Sequence, residues 1–203
     1  THHPLIFRPL TSLDLDGPAG GMLEAMVVQR LAVAAAHTHL DRVAGGVNDI
    51  LAERVGLTAP RVLAPADSPD GGGFGRLGAL AAPTTLERLA QRVKERMGLA
   101  TVRRVGPADL PVRCVAVCSG SGGGLLEDFW RSAAEVLITG DLRYHDAREA
   151  ELRGRGLIDI GHFESEAPVR EVLARRLAEG LAAAGWAVEV VVSQVETGPF
   201  AVV

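Results

Sequence analysis

Apolar runs of strand length alternate with helix-patterned segments along most of this chain. That alternation restricts the fold more than any other feature. AVAAA (32–36), PRVLA (60–64), FGRLGALA (74–81), TVRRV (101–105), VRCVAVC (112–118), EVLIT (135–139), LIDIG (157–161) and WAVEVVVS (186–193) read as strands. Helices are expected over 21–31, 46–55, 125–133, 142–153 and 164–184. A further helix is capped by Thr84 and Thr85, with Glu87 placed for a capping box, and runs through Met97 to Gly98. PADSPDGGG (65–73) is a turn-rich loop and the best candidate boundary. Strand–helix alternation predicts an α/β fold with mixed, mostly parallel sheets flanked by helices. In such sheets, sites gather at the C-terminal ends of the strands.

The 203 residues suffice for a real core, and 47% hydrophobic with 23% charged residues is ordinary globular composition. Disorder, coiled coil and collagen are unlike this chain. No apolar run reaches the roughly 18–20 residues of a spanning helix, and no basic-then-apolar leader opens the sequence. A net charge of -4 argues against a general electrostatic grip on nucleic acid or membrane. Cys114 and Cys118 lie four apart on one expected strand, so their Cα atoms would stand roughly 13 Å apart. A disulfide needs less than about 7 Å, so a reduced, cytoplasmic protein is expected. Tyr144, Trp130 and Trp186 read as packing residues.

The six histidines fall in few places. His2 and His3 open the chain, His37 and His39 follow AVAAA, His145 sits in TGDLRYHDA, and His162 follows LIDIG. The internal ones lie at or just beyond the ends of apolar strands, where metal ligands and proton carriers would be useful. In HTHLD, continued strand geometry would point His37, His39 and Asp41 to one face; a polar loop with one satisfied histidine is the plain alternative. In GHFESE, His162 and Glu166 are four apart at a helix start and share a face. There a dipole-favoured carboxylate is the alternative for Glu166, as it is for Glu164. On an extended chain His2 and His3 would point oppositely, so that two neighbouring metals take one each. SGSGGG (119–124) either presents Ser119, Gly120, Ser121 and Gly122 to an anion or simply packs a strand against a helix. Asp141 and His145, four apart on an expected first helical turn, suit acid–base work; Asp141 could instead be a helix cap.

Taken in order, THHPLIF, AAHTHLDRVAGGVNDILAERVGL, CSGSGGG, LITGDLRYHDA and IDIGHFESE resemble the Nif-three-like dinuclear metal-centre proteins, often labelled GTP cyclohydrolase I type 2. The match runs over nearly the whole chain. The resemblance implies a single domain over 1–203 made of two interlinked α/β parts with a metal cleft between them. Residues 1–64 and 119–203 would form the metal-site part and 74–118 a strand–helix–strand part, with no inserted mid-chain domain. It further implies two divalent ions per chain and a homohexamer. The family's ligand pattern falls here on His2, His3, Asp41, His162 and Glu166. His37, Asp141 and His145 would lie at the cleft as catalytic candidates. Asn usually occupies the position of His39, so His39 is a potential extra ligand. Family members carry a strand–helix–strand segment with a Trp-Asp-Asn motif before the paired histidines, which the resemblance implies is missing ahead of Thr1.

Five ligands with Asp41 bridging give three protein contacts per ion, leaving positions open as catalytic metals need. The mixed donors suit zinc, iron or manganese. The expected function is a metal-dependent hydrolase of a nucleotide or other small substrate, with His37 or His145 moving protons. The alternative is a non-catalytic metal-binding or scaffold protein.

Overall fold

The computed structural model describes residues 1–67 and 71–201. It divides into two compact units, Thr1–Leu40 and Asp41–Val203.

The first unit contains α1 (Pro18–Val28) and the start of α2 (Thr38–Arg42). Pro18 occupies the first turn of α1, where its fixed φ favours helix and its missing N–H costs nothing. That moves the helix three residues ahead of the expected 21–31. AVAAA (32–36) does not form a strand. It instead holds the chain start: the Thr1 amine donates to Ala34 O (2.8 Å), and Ala36 N donates to Thr1 O (2.8 Å).

The second unit is built on one six-stranded sheet of order β1-β2-β4-β5-β6-β3. The strands are β1 (Leu57–Pro65), β2 (Gly73–Thr85), β3 (Arg103–Val105), β4 (Pro111–Ser121), β5 (Val136–Gly140) and β6 (Gly156–Asp159). The sheet is mixed and flanked by helices. Parallel pairing is confined to its centre, β4–β5–β6, while β1–β2, β2–β4 and β3–β6 are antiparallel. The antiparallel flank follows from a short connection: β1 and β2 pair across the 65–73 loop, of which 68–70 lie outside the described residues.

Alternation along the central strands separates two core layers. Val115, Val117, Val136, Ile138 and Ile158 face α3 (Val47–Val55) and α4 (Leu86–Met97). Ala116, Cys118, Leu137 and Leu157 face α5 (Leu126–Arg131) and α6 (Tyr144–Leu152), where Phe129 and Trp130 fill the layer. Both cysteines are free thiols on β4. Burial pushes the Cys118 thiol up to about 12, with the Asp41 and Glu166 carboxylates adding to it.

Four further expectations are corrected. Thr85 alone caps α4, its hydroxyl accepting from Arg88 N (3.4 Å); Glu87 is therefore one position short of a capping box, and its carboxylate pairs with Arg104 (2.6 Å). The long helix expected over 164–184 is two, α7 (His162–Glu166) and α8 (Val169–Ala183), separated at Pro168, which has no N–H to continue the ladder. WAVEVVVS (186–193) joins no sheet among the described residues. Its β-branched residues favour extended backbone, but a strand exists only with a ladder partner. Trp186 and Tyr144 are exposed rather than packed, and only Trp130 is buried. No helix among the described residues is long and apolar enough to cross a membrane.

Candidate metal centre

In the first unit, the three histidines at positions 2, 3 and 37 converge. Their ligand nitrogens all lie within 4.8 Å of one another, and the three ring centroids are 5.0–5.1 Å apart. His2 and His3 do not point oppositely, because the chain bends at His3 instead of running extended. His2 Nδ1 lies 2.9 Å from Ala36 O. A carbonyl can only accept, so Nδ1 carries a proton there. Phe7 packs edge-on against His37 (5.8 Å), walling that side of the cluster.

His39 does not join this group. Residues 38–42 form a helix rather than a continued strand, so two positions turn roughly 200° around the axis. The single face expected for His37, His39 and Asp41 is lost, and His39 is exposed.

In the second unit, the parallel strands end where the polar motifs begin, as expected for an open α/β sheet. β4 ends in Ser119–Gly122, β5 in Gly140–Asp141, and β6 just before His162. The His162–Glu166 spacing works as one helical turn: His162 Nε2 lies 3.2 Å from Glu166 Oε1 along α7. On the ring's other side, Nδ1 lies 2.6 Å from Asp141 Oδ2. Glu166 above all, and Asp141 after it, raise the His162 pKa from its ordinary 6.5 to about 9.

Asp141 precedes α6 and is not on it. It holds a left-handed backbone (φ 55°), and the helix cap is Arg143, whose side chain and backbone engage Asp146. Asp141 and His145 therefore do not share a helical turn. His145 is exposed on α6 beside the Tyr144 ring (5.4 Å).

The glycine loop serves close packing around α7. A Cβ on Gly120 would stand 2.4 Å from Glu166 Oε1 and 3.3 Å from His162 Nε2, and the residue's φ is +64°. Gly140 is equally constrained: a Cβ there would meet His162 N at 2.6 Å. The loop's first two amides are engaged by protein. Ser119 N donates to Asn48 Oδ1 (2.9 Å) and Gly120 N to Ser165 Oγ (2.7 Å). Neither is open to an anion. Ser121 is exposed, and Gly122 sits against Thr139.

Asn48 and Ser165 escaped the sequence reading. Asn48 is buried, and its Nδ2 donates to Asp41 O (3.0 Å) while its Oδ1 holds the β4 terminus. It ties the backbone of Asp41 to the glycine loop. Ser165 donates to His162 O (2.7 Å) and accepts from Gly120 N. Both lie inside the motif-bearing segments, but only their burial betrays the role. A third, the Asp49–Arg76 pair (Arg76 Nε 2.5 Å from Asp49 Oδ1), fastens α3 to β2, with Arg76 also donating to Gly73 O, Gly75 O and Val43 O.

The donors fit a divalent transition metal. Imidazole with carboxylate is the ligand chemistry of zinc, iron and manganese sites. His2 and His162 each have Nδ1 held by an oxygen, the arrangement that orients a metal-binding histidine.

Comparison with known proteins agrees with the motifs. The family model described as Duf34/NIF3 (NGG1p interacting factor 3) matches residues 1–199. A Clostridium perfringens protein named GTP cyclohydrolase 1 type 2 homolog is 31% identical over 202 residues, covering 98% of this chain and 75% of that relative. A Streptomyces coelicolor protein of the same name is 34% identical over 205 residues, covering 98% and 72%. Among solved structures, a Bacillus cereus protein related to NIF3 superposes with a TM-score of 0.94 at 25% identity, over 100% of this chain and 82% of that one. On this match, the chain belongs to the Duf34/NIF3 family.

Proposed function

We propose that this chain is a divalent-metal-dependent hydrolase with a dinuclear centre, acting on a small substrate of the nucleotide class. His2, His3, Asp41, His162 and Glu166 are the ligands in this reading. The observation that carries it is the paired arrangement at His2 and His162. Each ring is oriented through an oxygen at Nδ1, the arrangement by which outer partners aim a metal-binding histidine. The relatives' shared name, GTP cyclohydrolase 1 type 2 homolog, makes GTP the first substrate to try.

Bound divalent ions would supply Lewis-acid activation of water and of an electrophilic substrate carbon. The chain's own residues orient and exclude. Asp141 fixes the His162 ring, and Asn48 ties the Asp41 backbone to the glycine loop. Gly120 keeps the space in front of Glu166 and His162 free of side chain. His37, within the histidine cluster, is the proton carrier of choice; His145, exposed beside Tyr144, is the weaker candidate. A homohexamer in the cytoplasm, with small molecules rather than nucleic acid or membrane as partners, completes the reading.

A specific observation favours a second reading, a non-catalytic metal-binding or scaffold protein: the glycine loop's Ser119 and Gly120 amides are already engaged by Asn48 and Ser165. One experiment separates the two. Untagged protein and Asp41→Ala are analysed for metal by mass spectrometry and assayed for GTP turnover. The hydrolase reading expects about two divalent ions per chain, with metal and turnover both lost in the variant. Metal without turnover supports the second reading in its metal-binding form, and a folded, metal-free wild type refutes the hydrolase and leaves the scaffold.

A further inference from the structure

The geometry points to Asp159 as a positioning residue that sets the orientation of His162 through Asp141. The inference rests on the metal reading only in its functional consequence; the clamp itself is a feature of the second unit alone.

Asp159 is the last residue of β6 and is 7% exposed. A buried carboxylate at a strand end needs partners, and this one has three. Its Oδ1 accepts from Gly161 N (3.0 Å), its Oδ2 accepts from Leu142 N (3.3 Å), and the exposed Arg103 guanidinium of β3 pairs with Oδ2. The two amides belong to two different turns. Leu142 follows Asp141, which adopts a left-handed conformation uncommon for a residue with a side chain (φ 55°). Gly161 precedes His162 and also has a positive φ (88°). One carboxylate thus pins both turns, and the side chains those turns deliver meet at 2.6 Å, His162 Nδ1 to Asp141 Oδ2.

The consequence is chemical. While Asp141 holds Nδ1, the ring is fixed with Nε2 on the side of Glu166. Release of either turn frees the ring to rotate or change tautomer. The contacts of Asp159 are to the amides of the two turns and to Arg103, so it acts by holding Asp141 and His162 together. A carboxylate that only finished the β6 strand would have no such dependence.

The test is a double-mutant cycle with two readouts. Asp159→Asn keeps the shape but replaces one acceptor oxygen with a donor facing Leu142 N or Gly161 N. Zn2+ affinity is measured by chelator competition for wild type, Asp159→Asn, Asp141→Asn and the double variant. The His162 Nδ1–H proton is followed in 15N-edited spectra of the metal-stripped proteins, assigned with His162→Gln. The expected result is loss of the Nδ1–H resonance in Asp159→Asn and Zn2+ binding weaker by about 10–100-fold. Adding Asp159→Asn to Asp141→Asn should cost nothing further. Unchanged resonance and affinity in Asp159→Asn, or losses that add in the double variant, would overturn the inference. Should the wild type bind no Zn2+ while Asp159→Asn still abolishes the resonance, the metal reading fails and the positioning role stands. If Asp159→Asn does not fold, Asp159→Ser, which retains one acceptor, is read by the same criteria.

Discussion

His162 concentrates the chemistry of the second unit in one ring, between Glu166 at Nε2 and Asp141 at Nδ1. Its pKa is raised to about 9 from an ordinary 6.5. A raised folded-state value means that the ion pairs contribute stability fully below the unfolded value and lose it as pH rises through the folded one. Metal-stripped protein should therefore lose stability between about pH 6.5 and about pH 9, and His162→Gln should flatten that window. Urea denaturation at several pH values reads this directly; a wild-type profile parallel to the variant's would refute it. Gly120 is the second residue-scale test. Gly120→Ala places a methyl against Glu166 Oε1 at a left-handed φ, so a loss of about 1–3 kcal/mol is expected together with weakened metal binding. Both residues were legible as motif members in the sequence. That Gly120 matters for the space in front of Glu166, rather than as a phosphate donor, was not, because a glycine's neighbours are set by tertiary approach.

At the scale of elements, the site depends on how α3 is fixed to the sheet. Arg76 is 3% exposed on β2 and is balanced by Asp49 of α3. Removing the carboxylate leaves a buried guanidinium, so Asp49→Ala should destabilise by about 3–5 kcal/mol in denaturant titrations. Arg76→Met combined with Asp49→Leu should recover most of that loss, since neither charge then remains buried. The elements also show where periodicity succeeds and fails. The i, i+4 spacing of His162 and Glu166 and the αL stop at Gly98 follow from local chemistry, and the structure repeats them. HTHLD and AVAAA do not follow their apparent strand pattern, since one becomes a helical turn and the other a fastening for Thr1. Pro168 breaks a helix whose apolar pattern runs through it.

For the whole molecule, the two-layered core around β4–β6 makes the interior strands the last to open. Cys118 lies there, 6% exposed, its thiol held protonated by burial. Native protein should leave Cys118 unmodified by iodoacetamide near pH 8, with reaction only at the rate of global unfolding. Mass spectrometry of the alkylated peptide checks this, and rapid native labelling would mean that the sheet centre opens locally. Reducing agent should leave the melting temperature unchanged, because both cysteines are free.

The α/β class, most helices and central strands, and the family, through five ordered motifs, were legible in the order of residues. Those are local or nearly local properties: apolar periodicity, caps, and short residue patterns. Folding in three dimensions added that the sheet is antiparallel on both flanks, that WAVEVVVS joins no sheet among the described residues, and that Asn48, Ser165 and Asp159 hold the site together. Strand partners and buried hydrogen bonds join residues tens of positions apart: Asn48 reaches Ser119, and Ser165 reaches Gly120. Pairing energy of that kind exists only once the chain has brought both partners out of water, and no window of sequence contains it.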